Sequence, residues 1–231
     1  MKKKLSAKEL IIKTLKEKSN VKQQVYENTV NTIVLIKEVL QDLVKEYNDI
    51  LKIDKKILIE YKDRGAFEVE IKIAGDLLII NMHSNIFEFD RGHGIWKTNY
   101  VQNNEMSTYS GIINIYNFLA DSFKYSRMDD LGYLIARIFI NKDNHYFVEG
   151  KRQLGFLYND FETAIIDKSA IKNIIESAVL YSLDFDLFVP PYDNVKIATV
   201  GQMKERINKS KIQTGKRLGF VFYPDDDSVE F

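Results

Sequence analysis

Two carboxylates and a lysine stand close together where the chain first alternates between polar and apolar residues. Asp63 ends one predicted strand, and Glu70 and Lys72 lie on the same side of the next. Carboxylates at a strand end can hold a divalent cation such as Mg²⁺ or Mn²⁺, and a nearby lysine can help to activate water. The three residues are therefore candidate catalytic residues of a metal-dependent phosphodiesterase.

The same three residues resemble the ligand set of the PD-(D/E)XK nuclease superfamily. The resemblance covers roughly residues 22–140, where a helix, three strands, a helix and a strand are predicted in the order of that core. It implies a divalent metal and phosphodiester cleavage. The chain departs from the family pattern because no proline precedes Asp63 and because Glu70 lies on the second strand, not the third. Alternatively, Glu70 and Lys72 belong to a solvated strand face, as simple alternation requires.

A second cluster combines two of the three histidines with an acid. His83, Asp90 and His93 flank a glycine-containing loop. Imidazole and carboxylate ligands suit Zn, Mn or Fe, and glycine lets the backbone approach a ligand closely. These residues are a candidate metal site, and the alternative is a set of ordinary loop polar residues. The sole tryptophan, Trp96, lies in the same irregular stretch and is a candidate pocket wall.

Arg137 interrupts an otherwise apolar predicted strand. Alternation places it on one face with Tyr133, Ile135 and Phe139. A guanidinium in such a place is either buried in an ion pair or directed at the carboxylate or phosphate of a ligand. Arg137 is therefore a candidate ligand-binding residue, and its candidate internal partners are Glu149 and Asp121.

Two glycine turns of similar sequence carry paired cations. Lys151 and Arg152 follow Gly150, and Lys216 and Arg217 follow Gly215; an aromatic strand-like stretch comes after each pair. Glycine frees the backbone and adjacent cations suit phosphate, so these four cations are candidate ligand-binding residues for an anion. The alternative is two ordinary strand entries that happen to match.

The N-terminal part is predicted to be helical. Ser6 is a candidate N-cap, with Glu9 completing a capping box, for a short helix over 7–18 that breaks at residues 19 and 20. A long helix is predicted over 21–51. The helix carries its seam residues in alternating steps of four and three: Thr29, Ile33, Ile36, Leu40, Leu43, Tyr47 and Ile50. This spacing indicates either a dimerising coiled coil or a helix laid across a sheet.

After Asp54 the apolar residues recur at every second position, which is the period of strands. Strands are predicted over 57–62, 66–74 and 77–82, with a turn at 63–65 and a short fourth strand over 85–90. Short connections between them indicate an antiparallel meander. Further along, the patterns predict a helix over 110–125, a hairpin of 132–141 with 145–149, a strand over 155–158, a helix from about 169 to 183, a linker at Pro190-Pro191 and a final strand over 218–223.

This order predicts a single α+β domain in which an antiparallel-rich sheet packs against a long N-terminal helix and one or two further helices. Within it we expect a basic arm with a short helix over 1–20, the long helix over 21–51, a sheet-and-helix core over 57–188 and a C-terminal extension over 195–231.

Composition excludes several classes of protein. The 231 residues are 45% hydrophobic and 29% charged, with no cysteine and a net charge of zero, which indicates a folded protein without disulfides or thiolate metal sites. No stretch is apolar enough to span a membrane, so we expect a cytoplasmic location and no membrane partner. The first 56 residues carry thirteen Lys or Arg and eight Asp or Glu, a net charge of +5.

Sequence patterns typical of nucleotide-binding loops, hydrolase elbows and zinc proteases are absent. The leading prediction is therefore a non-catalytic binding or regulatory protein without a cofactor. It would recognise a protein or a small anion and form a homodimer through 29–50. The alternatives are the metal-dependent nuclease and a nucleic-acid-binding protein that uses the basic arm and residues 204–217.

Overall fold

The computed structural model describes residues 6–51, 57–128, 130–184, 187–188, 199–201 and 220–221. The helices are α1 (Ala7–Thr14), α2 (Asn20–Ile50), α3 (Asn99–Asn103), α4 (Ala120–Lys124) and α5 (Lys168–Asp184). The strands are β1 (Glu60–Asp63), β2 (Glu68–Ile73), β3 (Asp76–Met82), β4 (Phe87–Glu88), β5 (Tyr109–Leu119), β6 (Tyr133–Asn141), β7 (Tyr146–Gly150), β8 (Leu187–Phe188) and β9 (Phe220–Val221).

The N-terminal helix begins as the sequence predicts but does not break where expected. The Ser6 hydroxyl accepts from the Glu9 N–H, and the Glu9 carboxylate accepts from the Ser6 N–H, which completes the capping box. A π-helical stretch, Leu15–Ser19, joins α1 to α2 without interruption. The predicted break at residues 19 and 20 is therefore wrong: a serine and an asparagine continue a helix when the wider π turn absorbs one extra residue.

Seven strands form one antiparallel sheet in the order β1-β2-β3-β5-β6-β7, and β4 extends the sheet beside β5. The predicted meander and the 132–149 hairpin are confirmed as β1–β3 and β6–β7. β8 and β9 pair separately, in parallel. The predicted linker at Pro190-Pro191 and residues 204–217 lie outside the described residues, as does most of the predicted strand over 218–223.

The helix predicted over 110–125 is wrong, because most of it is β5, the strand at the centre of the sheet. Only residues 120–124 are helical, as α4. The four-residue spacing of Ile112 and Tyr116 fits a strand equally well, since both lie on one face while Ile113 and Ile115 point to the other. Gly111 lets α2 pack closely on this strand, because a Cβ there would overlap Thr29.

The strand predicted over 155–158 is also wrong. A 3₁₀ turn, Arg152–Gly155, follows β7 instead, and the chain then runs along the edge of that strand with isolated backbone hydrogen bonds such as Val148 N–H to the Tyr158 carbonyl. Arg152 itself has a positive φ of 48°, which turns the backbone away from an extended path.

The two faces of the sheet differ. The helix-covered face packs its aliphatic residues against α2 and α5, and the seam predicted on α2 supplies Thr29, Ile33, Ile36, Leu40 and Leu43 to this core, all of them buried. The open face has no such helix layer among the described residues. α4 covers one end of it over Leu77 and Ile79, and the segment around Ile95 and Val101 covers the other. These observations confirm a single-domain α+β fold with an antiparallel sheet and a long N-terminal helix.

Candidate functional site

A row of polar residues crosses the middle of the open face. Strand register places five of them next to one another on five adjacent strands. Directly opposed residues of an antiparallel pair have Cβ atoms about 5 Å apart, so each member is within reach of the next. The row brings amides and charges to the middle of the face, between its apolar clusters: Glu68, Asn81, Asn114, Arg137 and Glu149.

A pocket of about 470 Å³ opens over this row. Its floor comes from β5 and β6, and its wall comes from His83 and residues 87–90. Small-molecule sites have about this volume and combine an apolar lining with a few polar groups. The lining here is of that kind: Phe87, Phe89, Ile112, Tyr116 and Phe139 are apolar or aromatic, and His83, Glu88, Asp90, Ser110, Asn114 and Arg137 are polar.

Arg137 is the central cation of the pocket. Its Nη1 lies 3.1 Å from Oε2 of Glu149, which is one of the two partners the sequence suggested. The two side chains are 44% and 60% exposed, so the pair is a surface ion pair and contributes little stability. A guanidinium has five donors, and this ion pair leaves most of them available to a ligand.

A β-bulge corrects the predicted surroundings of Arg137. The pairing of β5 with β6 shifts between Ile115 and Tyr116, which skips Ile135. Ile135 is buried in the core of the helix-covered face, and Tyr133 lies opposite Asn117 on that same side. Arg137 therefore shares the open face with Phe139 but not with Tyr133 or Ile135, contrary to simple alternation.

Two buried polar atoms on the open face have no hydrogen-bond partner in the described part of the chain. They are Oγ of Ser110, a pocket residue that is 1% exposed, and Oδ1 of Asn81, next to Asn114 in the polar row. A buried polar group without a partner is costly unless a ligand or water completes it. The Ser110 hydroxyl can donate as well as accept, so it marks a second polar contact inside the pocket.

The predicted metal cluster is split by the fold. His83 and Asp90 line the pocket, but the His93 ring stacks on Phe89 with ring centroids 4.8 Å apart. Nδ1 of His83 accepts from the Asn85 N–H and Asp90 accepts from the Gly92 N–H. Within the described residues, no group of three or more His, Cys, Asp or Glu side chains could hold a metal ion.

Trp96 supports the pocket wall from behind. Its indole N–H donates to the Phe89 carbonyl at 3.1 Å, and the Arg91 guanidinium stacks on its ring at 3.7 Å. Trp96 does not itself line the pocket, which differs from the sequence-based expectation. Its hydrogen bond fixes the backbone of Phe89, and Phe89 lines the pocket.

Tyr100 anchors the segment around Ile95 and Val101, which follows the pocket wall in the chain, to the β6–β7 hairpin. Its hydroxyl donates to Asp143 and accepts from the Asn141 amide, and its ring stacks on His145. Burial, reinforced by the hydrogen bond to Asp143, raises the pKa of Tyr100 to about 12. The phenol therefore stays protonated, and the anchor stays intact, well above neutral pH.

The nuclease-like set Asp63, Glu70 and Lys72 does not converge. Asp63 lies opposite Val69 and points to the helix-covered side, where it accepts from Lys37 of α2 at 2.9 Å. Glu70 and Lys72 point to the open face. The Lys37 ammonium, together with the Gly65 N–H, holds the pKa of Asp63 below its ordinary value of 3.8. Asp63 is thus a structural link between β1 and α2 in this geometry.

Alternation alone suggested that Glu70 belongs to a solvated strand face, but the structure buries it. It is 8% exposed and forms ion pairs with Arg64 and Lys62. The Arg64 guanidinium also lies 5.2 Å from the ring centroid of Phe123 on α4, which covers this end of the face. Lys72 pairs separately with Glu60 at 2.5 Å.

The first of the two glycine turns lies away from the pocket. Lys151 and Arg152 follow β7, where Arg152 lies over the Tyr181 ring of α5 and 3.7 Å from Asp184. Lys216 and Arg217 lie outside the described residues, so the shared anion site stays a prediction.

Sequence reasoning missed Phe87, Ser110 and Asn114 as pocket residues. Ser110 and Asn114 fall in the stretch predicted as a helix, and apolar residues at 112, 113, 115 and 116 give that stretch no period of two.

No protein family, curated protein or solved structure matches the chain. In the part of the chain that the structure describes, no helix has the length and apolarity needed to cross a bilayer.

Proposed function

We propose that this protein is a non-catalytic binding protein whose ligand is an elongated organic anion with an apolar body, held in the pocket of the open face. The observation that carries the proposal is Arg137: a half-exposed guanidinium with one weak ion pair, at the centre of a pocket of about 470 Å³. Such a cation on an otherwise apolar strand is best explained by a ligand that it binds.

The anionic end of the ligand is assigned to Arg137 and Asn114. They lie directly opposite each other on β6 and β5, so a guanidinium fork and an amide face the same space. A carboxylate or phosphate there would accept two hydrogen bonds from the guanidinium, which is the strongest arrangement available to it.

The apolar body is assigned to the aromatic wall. Phe87, Phe89 and Phe139 line the pocket between Arg137 and the N-terminal end of β5. Ser110 lies four residues before Asn114 on that strand, which corresponds to about 14 Å at the rise of an extended chain. A ligand of that length would meet Arg137 with its anion and the unpaired Ser110 hydroxyl with a polar group at its other end.

We assign no reaction to the pocket. The metal-dependent phosphodiesterase is the weaker alternative, because Asp63 points away from Glu70 and Lys72. Nucleic-acid binding stays a prediction for residues 1–20 and 204–217. With the binding function we retain a cytoplasmic location. A homodimer through 29–50 would have to use the exposed side of α2 or its C-terminal end at Ile50, since the first five of the seven predicted seam residues are buried inside the chain.

The test is a screen of small carboxylates and phosphates, followed by titration. The sole tryptophan donates to the Phe89 carbonyl, so its fluorescence reports on the pocket wall without a label. We expect Arg137→Gln to weaken binding of a hit at least tenfold and Arg137→Lys to restore part of it. Lys45→Gln, at an exposed cation of α2 on the other side of the sheet, is the control. A hit that binds Arg137→Gln as tightly as the wild type would refute this site.

A further inference from the structure

The N-terminal helical segment, residues 6–19, contributes no buried side chain to the fold. Neither α1 nor the π-helical stretch that follows it has a buried residue, and the first buried residue of α2 is Val25. A short helix without tertiary packing is marginally stable in water. Its apolar residues are therefore available to another surface.

Those apolar residues are large, and three of the four share one side of the helix. Leu10, Ile11 and Leu15 are each more than half exposed, and Ile12 is nearly so. At the spacing of a helix, Leu10, Ile11 and Leu15 fall within one sector of the surface. Four exposed aliphatic side chains on so short a segment form the kind of apolar patch that marks an interaction surface.

The segment is also rich in lysine. Residues 6–19 carry four lysines, Lys8, Lys13, Lys16 and Lys18, and two acids, Glu9 and Glu17, and the sequence places three more lysines at residues 2–4. Lys8 lies at the border of the apolar sector, and Lys18 lies over the Tyr109 ring of β5. An apolar sector flanked by lysines is the pattern of a helix that lies in the interface of an anionic bilayer.

We propose that residues 6–19 bind the surface of an anionic lipid bilayer, with the aliphatic residues at the boundary of headgroups and acyl chains and the lysines at the phosphates. Nucleic acid would use the lysines but leave the aliphatic residues unexplained. A second copy of the chain would bring like charges together. The expectation of no membrane partner rested on the absence of a spanning segment, and a helix lying on the surface needs no span.

The first measurement is flotation of the full chain with vesicles. We expect binding to phosphatidylcholine–phosphatidylglycerol vesicles at low salt, at least about tenfold weaker binding to phosphatidylcholine alone, and a loss of affinity as salt rises. Equal binding to both vesicle types, or no binding to either, would overturn the proposal.

The second measurement removes the apolar sector without touching the core. We expect Ile11→Gln with Leu15→Gln to weaken binding to the mixed vesicles at least about tenfold, because glutamine keeps the helix but not the apolar contact. Leu180→Gln with Leu183→Gln, at comparably exposed positions on α5, is the matched control and should bind like the wild type.

Two results with these variants would contradict the proposal. One is unchanged vesicle binding by Ile11→Gln with Leu15→Gln. The other is a wild-type dimer in sedimentation velocity that this double variant converts to monomer, since that result assigns the apolar sector to a second copy. Circular dichroism of each variant confirms that the fold is intact, which is expected because all four substituted side chains are exposed.

Discussion

The two faces of the sheet are built from alternate residues of the same strands, yet they differ in almost every property. The helix-covered face is aliphatic from β2 to β7 and closed by α2 and α5. The open face has apolar clusters at its two ends and a polar row between them. The first face uses its side chains for stability, since each fully buried aliphatic residue contributes about 1.5–3 kcal/mol.

This difference shows how one sheet can separate stability from binding. Because neighbouring residues on a strand point to opposite faces, a residue such as Arg137 can be polar and exposed while Ile138 beside it is buried. Substitutions on the two faces should therefore have different consequences, and the comparison can be tested position by position.

The largest effect is expected at the centre of the helix-covered face. Leu40 of α2 is fully buried, so Leu40→Ala should lower the free energy of unfolding by about 2–5 kcal/mol, measured by urea denaturation. Val34→Ala on the exposed side of the same helix is the control. Leu40→Glu should prevent folding; if it instead gives a folded monomer, the helix seam belongs to an interface between chains.

An intermediate effect is expected where the open face is covered by α4. Glu70→Gln removes the buried anion that pairs with Arg64, and should lower the free energy of unfolding by about 1–3 kcal/mol. Glu68→Gln, two residues earlier on the same face and more exposed, should change it by no more than about 0.5 kcal/mol. Equal effects of the two substitutions would mean that burial does not distinguish them.

The sequence predicted the helix-covered face better than the open face, for a physical reason. A face packed against one helix layer has regular periodicity, so α2, the β1–β3 meander and the β6–β7 hairpin could be recognised locally. β5 could not, because apolar residues lie on both of its faces, Ile112 and Tyr116 on the open one and Ile113 and Ile115 on the covered one. Its isoleucines therefore fit a helix as well as a strand.

The candidate site was predictable only where one residue conflicted with its neighbours. Arg137 stood out because a charge interrupted an apolar strand, and His83 and Asp90 because their side chains can bind ligands. Ser110 and Asn114 gave no such signal. Their role depends on the register of β5 against β6 and on the loop that carries Phe89, and both are nonlocal.

A smaller effect is expected at the centre of the open face. Arg137→Gln should change the free energy of unfolding by no more than about 0.5 kcal/mol, because its ion pair with Glu149 is a surface pair. Urea denaturation of the ligand-free protein checks this directly. A loss above about 2 kcal/mol would show that Arg137 is structural. The centre of the open face would then contribute to stability, as the covered face does.

The smallest effect concerns acid sensitivity at the junction of β1 with α2. Because hydrogen bonds from Lys37 and from the Gly65 N–H lower the pKa of Asp63 below 3.8 in the folded protein, the unfolded chain binds its proton more tightly. The stabilisation by Asp63 is therefore fully present at pH values above its unfolded-state pKa of 3.8, and it is lost as the pH falls through the lower pKa of the folded protein. Asp63→Asn should be less stable than the wild type near neutral pH, and the difference should shrink in acid. Lys37→Met should likewise reduce the acid dependence that Asp63 contributes. A constant difference across the titration would show that the carboxylate charge contributes nothing at this contact.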